Sequence, residues 1–180
     1  MSRSCIPARF TLNFSQYNST NSDQTMRPIT QQLLDDLLQQ AARDPRGRIP
    51  YRFHEHHEPV QRMLNAITPG SYVTPHKHEN PDKVELIAIL TGTAVMFEYS
   101  ETGDITEMHR MEVTGPVRGV DIPPRVYHNF VAVTPCVVLE IIQGPYHAET
   151  HKKFAPWAPL EGTPESLTYL ALLESRIAAT

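Results

Sequence analysis

The chain has 180 residues, of which 40% are hydrophobic and 20% are charged, and its formal net charge at pH 7 is −4. This length predicts one domain with a substantial core and terminal extensions, and the modest charge argues against nucleic acid or an anionic membrane as a partner. No apolar span is long enough to cross a bilayer, no signal-peptide pattern opens the chain, and Cys5 and Cys136 do not form a disulfide framework, so we expect a cytoplasmic protein.

A polar arm and a helix precede the rest of the chain. Residues 1–27 are rich in Asn, Ser, Thr and Gln, which predicts a poorly ordered arm. Residues 29–43 carry leucine and alanine at helical spacing, with Thr30 placed to cap the helix at its start. We therefore expect the arm to precede a domain that covers residues 28–162 and begins with this helix.

The histidine-rich segment 54–57 has two interpretations. Its sequence, His-Glu-His-His, could contribute to a metal site. Its neighbours are charged, however, and supply no apolar frame that would hold ligands in place. We therefore favour a solvated loop over a second metal site for His54, His56 and His57.

From residue 60 onward, short β-type runs alternate with turn signals. The runs recur at intervals of about ten residues, a spacing typical of an all-β sandwich or barrel. Pro, Gly and Asn mark the gaps between them. The last run is nearly all apolar, which predicts a central strand. The predicted strands cover residues 60–67, 71–78, 84–90, 94–99, 106–113, 119–122, 128–133 and 136–143.

The stretch from 70 to 92 places polar side chains where a strand should bury apolar ones. If residues 71–78 form a strand, alternate side chains share a face, so Tyr72, His76 and His78 point the same way. Such a polar face suits a pocket better than a core. Glu85 then interrupts an apolar run, where a carboxylate is costly to bury unless it is paired or binds a metal.

A third histidine, His128, opens the strand predicted after the Pro123-Pro124 turn. An isolated His-x-His pair is more often a pair of ordinary strand histidines, but its combination with a buried carboxylate and a third imidazole favours a metal site. This ligand set is compatible with Zn, Fe, Ni, Mn or Cu, so the sequence does not select the metal. We predict one divalent transition metal inside a small β-barrel, held by His76, His78, Glu85 and His128.

Three further charged residues lie on the predicted strands or beside them. Glu140 either faces the pocket as an acid or base or sits at the strand edge in a salt bridge. Lys83 could pair with Glu85 or hold an anionic substrate, although a solvated lysine is the commoner case. Arg62 and Asn65 fall on opposite faces of one strand, so at least one is structural or on the surface; Arg62 is kept as a substrate-binding candidate.

The C-terminal part combines an irregular segment with a helix. Residues 144–162 contain several prolines and the single tryptophan, a composition typical of segments that pack over a sheet edge or a pocket mouth. Thr163 and Pro164 are placed as N-cap and first residue of a helix over residues 163–180. Its broad apolar stripe predicts burial on more than one side, and hence a homodimer.

The motifs together resemble those of the cupin superfamily. Gly70, five residues, His-x-His, Glu85, six residues and Gly92 are followed by Pro-x-x-x-x-His128. Arg125 departs from the pattern, because cupins usually carry glycine there. Either the turn accepts a side chain, or Arg125 points into the pocket mouth and contacts substrate.

A narrower resemblance runs through three longer stretches. They look like the WbuC family of cupin-fold metalloproteins, whose members are commonly encoded among polysaccharide genes; the stretches are QRMLNAITPGSYVTPHKHENPDKVELIAILTG, VDIPPRVYHNFVAV and LEIIQGPYHAETHKKFAPWAPLEG. The resemblance implies a mainly β, jelly-roll barrel with an N-terminal and a C-terminal helix. It also implies a role in polysaccharide biosynthesis.

Cupins host many reactions, so the resemblance does not select one. We expect a metal-dependent enzyme of isomerase or lyase type, with the metal as Lewis acid and a small polar substrate such as a sugar or sugar derivative. Tyr72 and Glu140 are the acid–base candidates, and Arg125 or Lys83 would hold a carboxylate or phosphate. The alternatives are an Fe(II)-dependent dioxygenase and a non-catalytic, metal-dependent small-molecule binding protein.

Overall fold

Two antiparallel sheets and three helices account for most of residues 25–180, the part of the chain that the computed structural model describes. The predicted arm, residues 1–27, lies almost entirely outside this part. The helices are α1 (Gln31–Ala41), α2 (Ala148–His151) and α3 (Pro164–Ala178). The strands are β1 (Arg48–Arg52), β2 (Val60–Ile67), β3 (His76–Lys77), β4 (Glu85–Thr91), β5 (Thr93–Tyr99), β6 (Ile105–Glu112), β7 (Gly119–Ile122), β8 (Tyr127–Ala132), β9 (Cys136–Gln143) and β10 (Lys153–Phe154).

Each sheet has five strands. The order is β1-β2-β9-β4-β7 in the first sheet and β10-β3-β8-β5-β6 in the second. β9, the nearly all-apolar run, is the central strand of the first sheet, as its composition predicted. The predicted mainly β, jelly-roll fold with a helix at each end is confirmed. No helix in the described part of the chain is long and apolar enough to span a membrane.

Apolar side chains from both sheets pack together in one core cluster. Ile67 and Ile87 of the first sheet pack there with Met96 and Phe130 of the second. Because strand side chains alternate, the opposite faces of the sheets need separate cover. The two long helices provide that cover.

α1 covers the first sheet. Leu33, Leu34 and Leu37 pack against Leu64 and Val137. The predicted cap is confirmed, since Thr30 Oγ1 accepts a hydrogen bond from the amide of Leu33 at 3.2 Å. A satisfied amide at the helix start stabilises the first turn.

α3 covers the second sheet. Its Leu170 and Leu173 are buried against Val95, Phe97 and Val131. Thr163 is the N-cap residue, as predicted, but its hydroxyl donates to the carbonyl of Leu160 instead of capping the helix. Pro164 occupies the first turn, where a missing amide costs nothing.

The strand predicted over residues 71–78 is wrong for most of its length, since only His76–Lys77 pairs as a strand. The preceding residues make tertiary contacts instead of ladder bonds. Ser71 donates its hydroxyl hydrogen to the carbonyl of Arg46 at 2.8 Å, and Thr74 Oγ1 accepts from the amide of Glu161 at 2.9 Å. Side-chain direction before His76 therefore does not follow strand alternation.

The motif glycine Gly92 forms the turn between β4 and β5. Its φ is +77°, and a Cβ there would lie 2.2 Å from the carbonyl oxygen of Pro135. Both features exclude an ordinary side chain. The turn brings β5 into the second sheet directly after β4 in the first.

Candidate metal centre

Four buried side chains from three strands and a turn converge between the sheets. His76 lies on β3 and pairs in register with His128 on β8, while Glu85 is the first residue of β4. His78 follows β3 directly. One potential ligand atom from each of His76, His78, Glu85 and His128 lies within 4.8 Å of all the others, so the group could hold a metal ion.

Backbone carbonyls orient all three imidazoles. The Nδ1 atom lies 3.0 Å from the Thr74 oxygen in His76, 2.6 Å from the His151 oxygen in His78 and 2.9 Å from the Val126 oxygen in His128. A ring nitrogen that faces a carbonyl must carry its hydrogen. In a neutral ring Nε2 is then the free lone pair, which is the arrangement of a metal-binding histidine.

Glu85 lies opposite two of these Nε2 atoms. Its Oε2 is 2.9 Å from Nε2 of His78 and 3.1 Å from Nε2 of His128. Lone pairs that face each other at this distance require a shared proton or a cation between them. Three nitrogens, one carboxylate and burial thus fit a divalent metal ion, within the range Zn, Fe, Ni or Mn.

The protonation states agree with this fit. Burial raises the pKa of Glu85, but the close contacts with His128 and His78 outweigh that effect and hold the pKa well below its ordinary value. Burial, and after it the charge of Lys152, lowers the pKa of His76 well below its ordinary value. An ionised Glu85 and a neutral His76 are the forms that bind a metal.

Arg125 shapes the turn that carries His78 and His128. Its φ is +69°, a left-handed conformation, and its amide donates to the carbonyl of His78 at 3.0 Å. Its exposed side chain pairs with Asp82, with Nε 3.0 Å from Oδ1. The turn therefore accepts a side chain where cupins usually have glycine, and Arg125 does not line the cavity.

A cavity of about 330 Å³ opens onto this cluster of three histidines and a glutamate. His76, Glu85 and His128 line it, together with residues from β1, β2 and β9 and from the segment between β9 and β10. This volume falls within the range of small-molecule sites. The centre is therefore accessible to a ligand and not sealed in the core.

Glu140 faces this cavity and not a salt bridge at the strand edge. Asn65 Nδ2 donates to its Oε2 at 2.5 Å. Burial raises the pKa of Glu140 to about 8, and the negative charge of Glu85 contributes in the same direction. Asn65 and Arg62 lie on opposite faces of β2, as their spacing predicted, and Asn65 is on the cavity side.

The other predicted site residues lie elsewhere. The Tyr72 hydroxyl donates to the Pro159 carbonyl at 2.8 Å, and its ring packs against Tyr169, outside the cavity lining. Burial is the main cause of the raised pKa of Tyr72. This placement does not support an acid–base role, because no part of the side chain reaches the cavity.

Two predicted substrate-binding cations also lie outside the cavity lining. Lys83 is buried and not solvated; its Nζ donates to the Pro145 carbonyl at 2.8 Å, and burial lowers its pKa. Arg62 pairs with Glu58, and its Nη2 lies 2.5 Å from Oε2 of that residue. Both side chains serve contacts within the fold.

Segment 54–57 is only partly the solvated loop that we favoured over a second metal site. His56 and His57 are exposed, as a solvated loop requires, but His54 is buried and its Nδ1 lies 2.7 Å from the backbone oxygen of Arg62. Within residues 25–180, the potential metal ligands form one cluster, and it does not include these histidines. His54 and His56 instead contribute to the cavity lining.

His151 is a cavity residue that the sequence did not single out. Its carbonyl accepts the hydrogen bond from His78, and its ring lies 5.2 Å from that of His78. Burial lowers the pKa of His151 to about 3. A lone histidine in an irregular segment has no periodicity or spacing that would identify it.

Residues 29–111 match a protein family described as a domain of unknown function, DUF6016. The matched segment is less than half of the chain. No curated protein matches. One similar solved structure is KdgF from Halomonas sp., which is 18% identical in sequence and has a TM-score of 0.45. The match covers 57% of this chain and 82% of KdgF. A cupin superfamily protein from Desulfitobacterium hafniense has 17% identity, coverages of 53% and 76%, and a TM-score of 0.43.

The capsular polysaccharide assembling protein CapF from Staphylococcus aureus is also similar, with 20% identity over 59% of this chain and a TM-score of 0.46. The match spans only 34% of CapF. WbuC membership stays a prediction. By its own sheets and helices, the chain is a β-barrel of two five-stranded antiparallel sheets with a buried His/Glu cluster that could hold a metal ion.

Proposed function

We propose that this protein is a metal-dependent enzyme that acts on a small polar substrate such as a sugar or sugar derivative, by isomerase- or lyase-type chemistry. The proposal includes WbuC membership and a role in polysaccharide biosynthesis. The observation that carries it is the opening of a buried three-histidine, one-glutamate cluster onto a cavity of about 330 Å³. A purely structural metal site would be closed by protein ligands on all sides.

His76, His78, Glu85 and His128 would hold a divalent ion, which supplies Lewis acidity toward a substrate oxygen when bound. The carbonyls of Thr74, Val126 and His151 keep the imidazole rings in place. The chain thus supplies both the ligands and the groups that orient them.

Glu140 is the acid–base group that the cavity offers beside the centre. Asn65 donates a hydrogen bond to one of its oxygens, and burial raises its pKa to about 8. A carboxylic acid with such a pKa can donate a proton to a substrate oxygen and take one back. Tyr72 has no part in this proposal.

Metal content tests the first step. We expect protein purified without an affinity tag to contain about one divalent ion per chain by elemental analysis. His76→Ala should lose that ion, because it removes one of the buried donors. His57→Ala is the matched control, since His57 is exposed and outside the cavity lining. Equal metal content in the wild type and H76A would contradict the assigned centre.

Turnover tests the second step. In a screen of sugars and sugar derivatives, the wild type and H57A should convert at least one compound, while H76A should lose the activity by ~100-fold or more. Oxygen uptake during turnover by an iron-loaded protein would instead identify the dioxygenase. Tight binding of a metabolite without chemical change would identify a binding protein.

A further inference from the structure

Two cations of the cavity, Arg52 and Lys152, are not held in a direct pair with another side chain of the described chain. Arg52 and Lys152 both line the cavity, and no hydrogen bond or ion pair joins either side chain to another residue of 25–180. Arg46 and Arg48 line the same cavity, but both bind Glu161, with Arg46 Nε 2.7 Å from Oε1. Of these three arginines, Arg46 and Arg48 are therefore paired with Glu161, and Arg52 is not.

The fold places these cations on opposite sides of one opening. Arg52 ends β1, the edge strand of the first sheet, and Lys152 directly precedes β10, the edge strand of the second. The two edges lie on the same side of the barrel, since both strands contribute to the cavity lining. Both side chains therefore face the same cavity, one from each sheet edge.

The strand register places Arg52 in line with Glu140, the proposed acid–base group. Arg52 pairs with Met63 on β2, and Met63 pairs with Glu140 on β9. Two strand spacings of ~4.8 Å separate the backbones of Arg52 and Glu140, and the matching register places both side chains on the cavity face of the sheet. Lys152 lies on the facing side, and its charge acts on both His76 and Glu140.

We propose that Arg52 and Lys152 form an anion subsite that holds a carboxylate or phosphate at one end of the substrate. The rest of the molecule extends toward the His/Glu centre, a step that rests on the proposed function. Guanidinium and ammonium groups are the side chains that recognise such oxyanions, Arg by its planar fork and Lys as a point charge. The substrate class is therefore an anionic hydroxylated molecule, such as a sugar acid or sugar phosphate.

The test titrates the full chain with glycerol 3-phosphate, glycerate and glycerol, followed by NMR chemical shifts. The wild type should bind at least one of the two anionic probes more tightly than glycerol, and the comparison of phosphate with carboxylate identifies the preferred oxyanion. Arg52→Gln and Lys152→Gln should each weaken binding of that probe by ~5-fold or more, because each removes a charge-assisted contact.

Two matched variants remove the same charges outside the cavity. Arg43→Gln lies beyond the end of α1, and Lys153→Gln changes the exposed neighbour of Lys152. Both should bind within ~2-fold of the wild type. Because Arg52 is exposed and unpaired within the described residues, R52Q should fold normally, and it decides the test alone if K152Q does not fold.

The titration is repeated after chelation of metal, which separates this proposal from the proposed function. Loss of affinity in R52Q with and without metal supports the subsite even if no turnover is ever found. Equal affinity of R52Q, K152Q and the wild type, or no preference for an anion over glycerol, would overturn the subsite while leaving the metal centre intact.

Discussion

At the scale of single residues, the cavity brings two buried carboxyl groups, Glu85 and Glu140, close to each other. Glu85 faces the imidazoles, and Glu140 faces Asn65. Two carboxylates in one buried site cannot both ionise cheaply, so Glu140, which lacks the imidazole contacts of Glu85, retains its proton. This division assigns Glu85 to metal binding and Glu140 to proton transfer in the proposed function.

The raised pKa of Glu140 predicts a pH-dependent stability of the metal-free protein. Its pKa is about 8 in the folded chain against an ordinary value of 4.5, so the folded state binds more protons between these pH values. The stability that Glu140 contributes is therefore present below pH 4.5 and is lost as pH rises toward about 8. Glu140→Gln stays neutral and lacks this loss.

Urea unfolding of chelator-treated protein at pH 5 and pH 8 measures the effect. We expect the stability of the wild type relative to E140Q to fall by on the order of 1–2 kcal/mol between these pH values, a figure reduced because the carboxylate reaches the open cavity. Glu107→Gln, at an exposed position on β6, should show no such change relative to the wild type. Parallel pH profiles for the wild type and E140Q would contradict an uncharged Glu140 in the folded state.

At the scale of elements, the two long helices close the outer faces of the barrel. α1 packs on β2 and β9, the strands that carry Asn65 and Glu140 on their opposite face. The helix thus supports the strands that form one side of the cavity. Its contribution is packing, because its buried residues are all leucine or alanine.

Leu37→Ala tests the contribution of α1. Leu37 is 1% exposed, and its truncation leaves a cavity against the first sheet, so we expect a loss of about 2–4 kcal/mol in the free energy of unfolding. Leu38→Ala, one position along and only half-buried, should cost about 1 kcal/mol or less. Chemical denaturation measures both. Similar losses for the two variants would show that α1 is not anchored by Leu37.

At the scale of the whole molecule, one face of α3 packs on the barrel and the other is uncovered in the single chain. Leu170 and Leu173 are buried, whereas Leu167 is 68% exposed and Leu172 is 47% exposed. Leucines on both faces are typical of a helix that also contacts a second subunit. This arrangement supports the predicted homodimer.

Sedimentation velocity tests the dimer. The wild type should sediment as a dimer, and Leu167→Glu should shift it toward monomer, because a buried charge in an apolar contact is unfavourable. Glu174→Gln, an exposed change on the same helix, should leave the dimer intact. A monomeric wild type at micromolar concentration would contradict the homodimer.

The four residues of the His/Glu cluster could be predicted from the sequence because each of them is marked by a local pattern. His-x-His, a carboxylate inside an apolar run and a histidine after a proline turn each stand out within one segment, and the cupin resemblance supplies their order. Tyr72 was placed incorrectly for a local reason too. Strand alternation was applied to residues that Ser71 and Thr74 hold in tertiary contacts instead.

Sequence alone determined the mainly β architecture, the central position of β9, the cap of α1 and the set of four buried donors. Only the tertiary structure decided which charged side chains reach the cavity. The predicted substrate-binding cations contact other residues of the fold instead: these are Lys83, Arg62 and Arg125. The cavity is lined by residues that were not predicted, among them Arg52, Lys152 and His151. The physical reason is that alternation and turn chemistry are properties of neighbouring residues, whereas the direction of a charged side chain depends on which sheet edge packs opposite it.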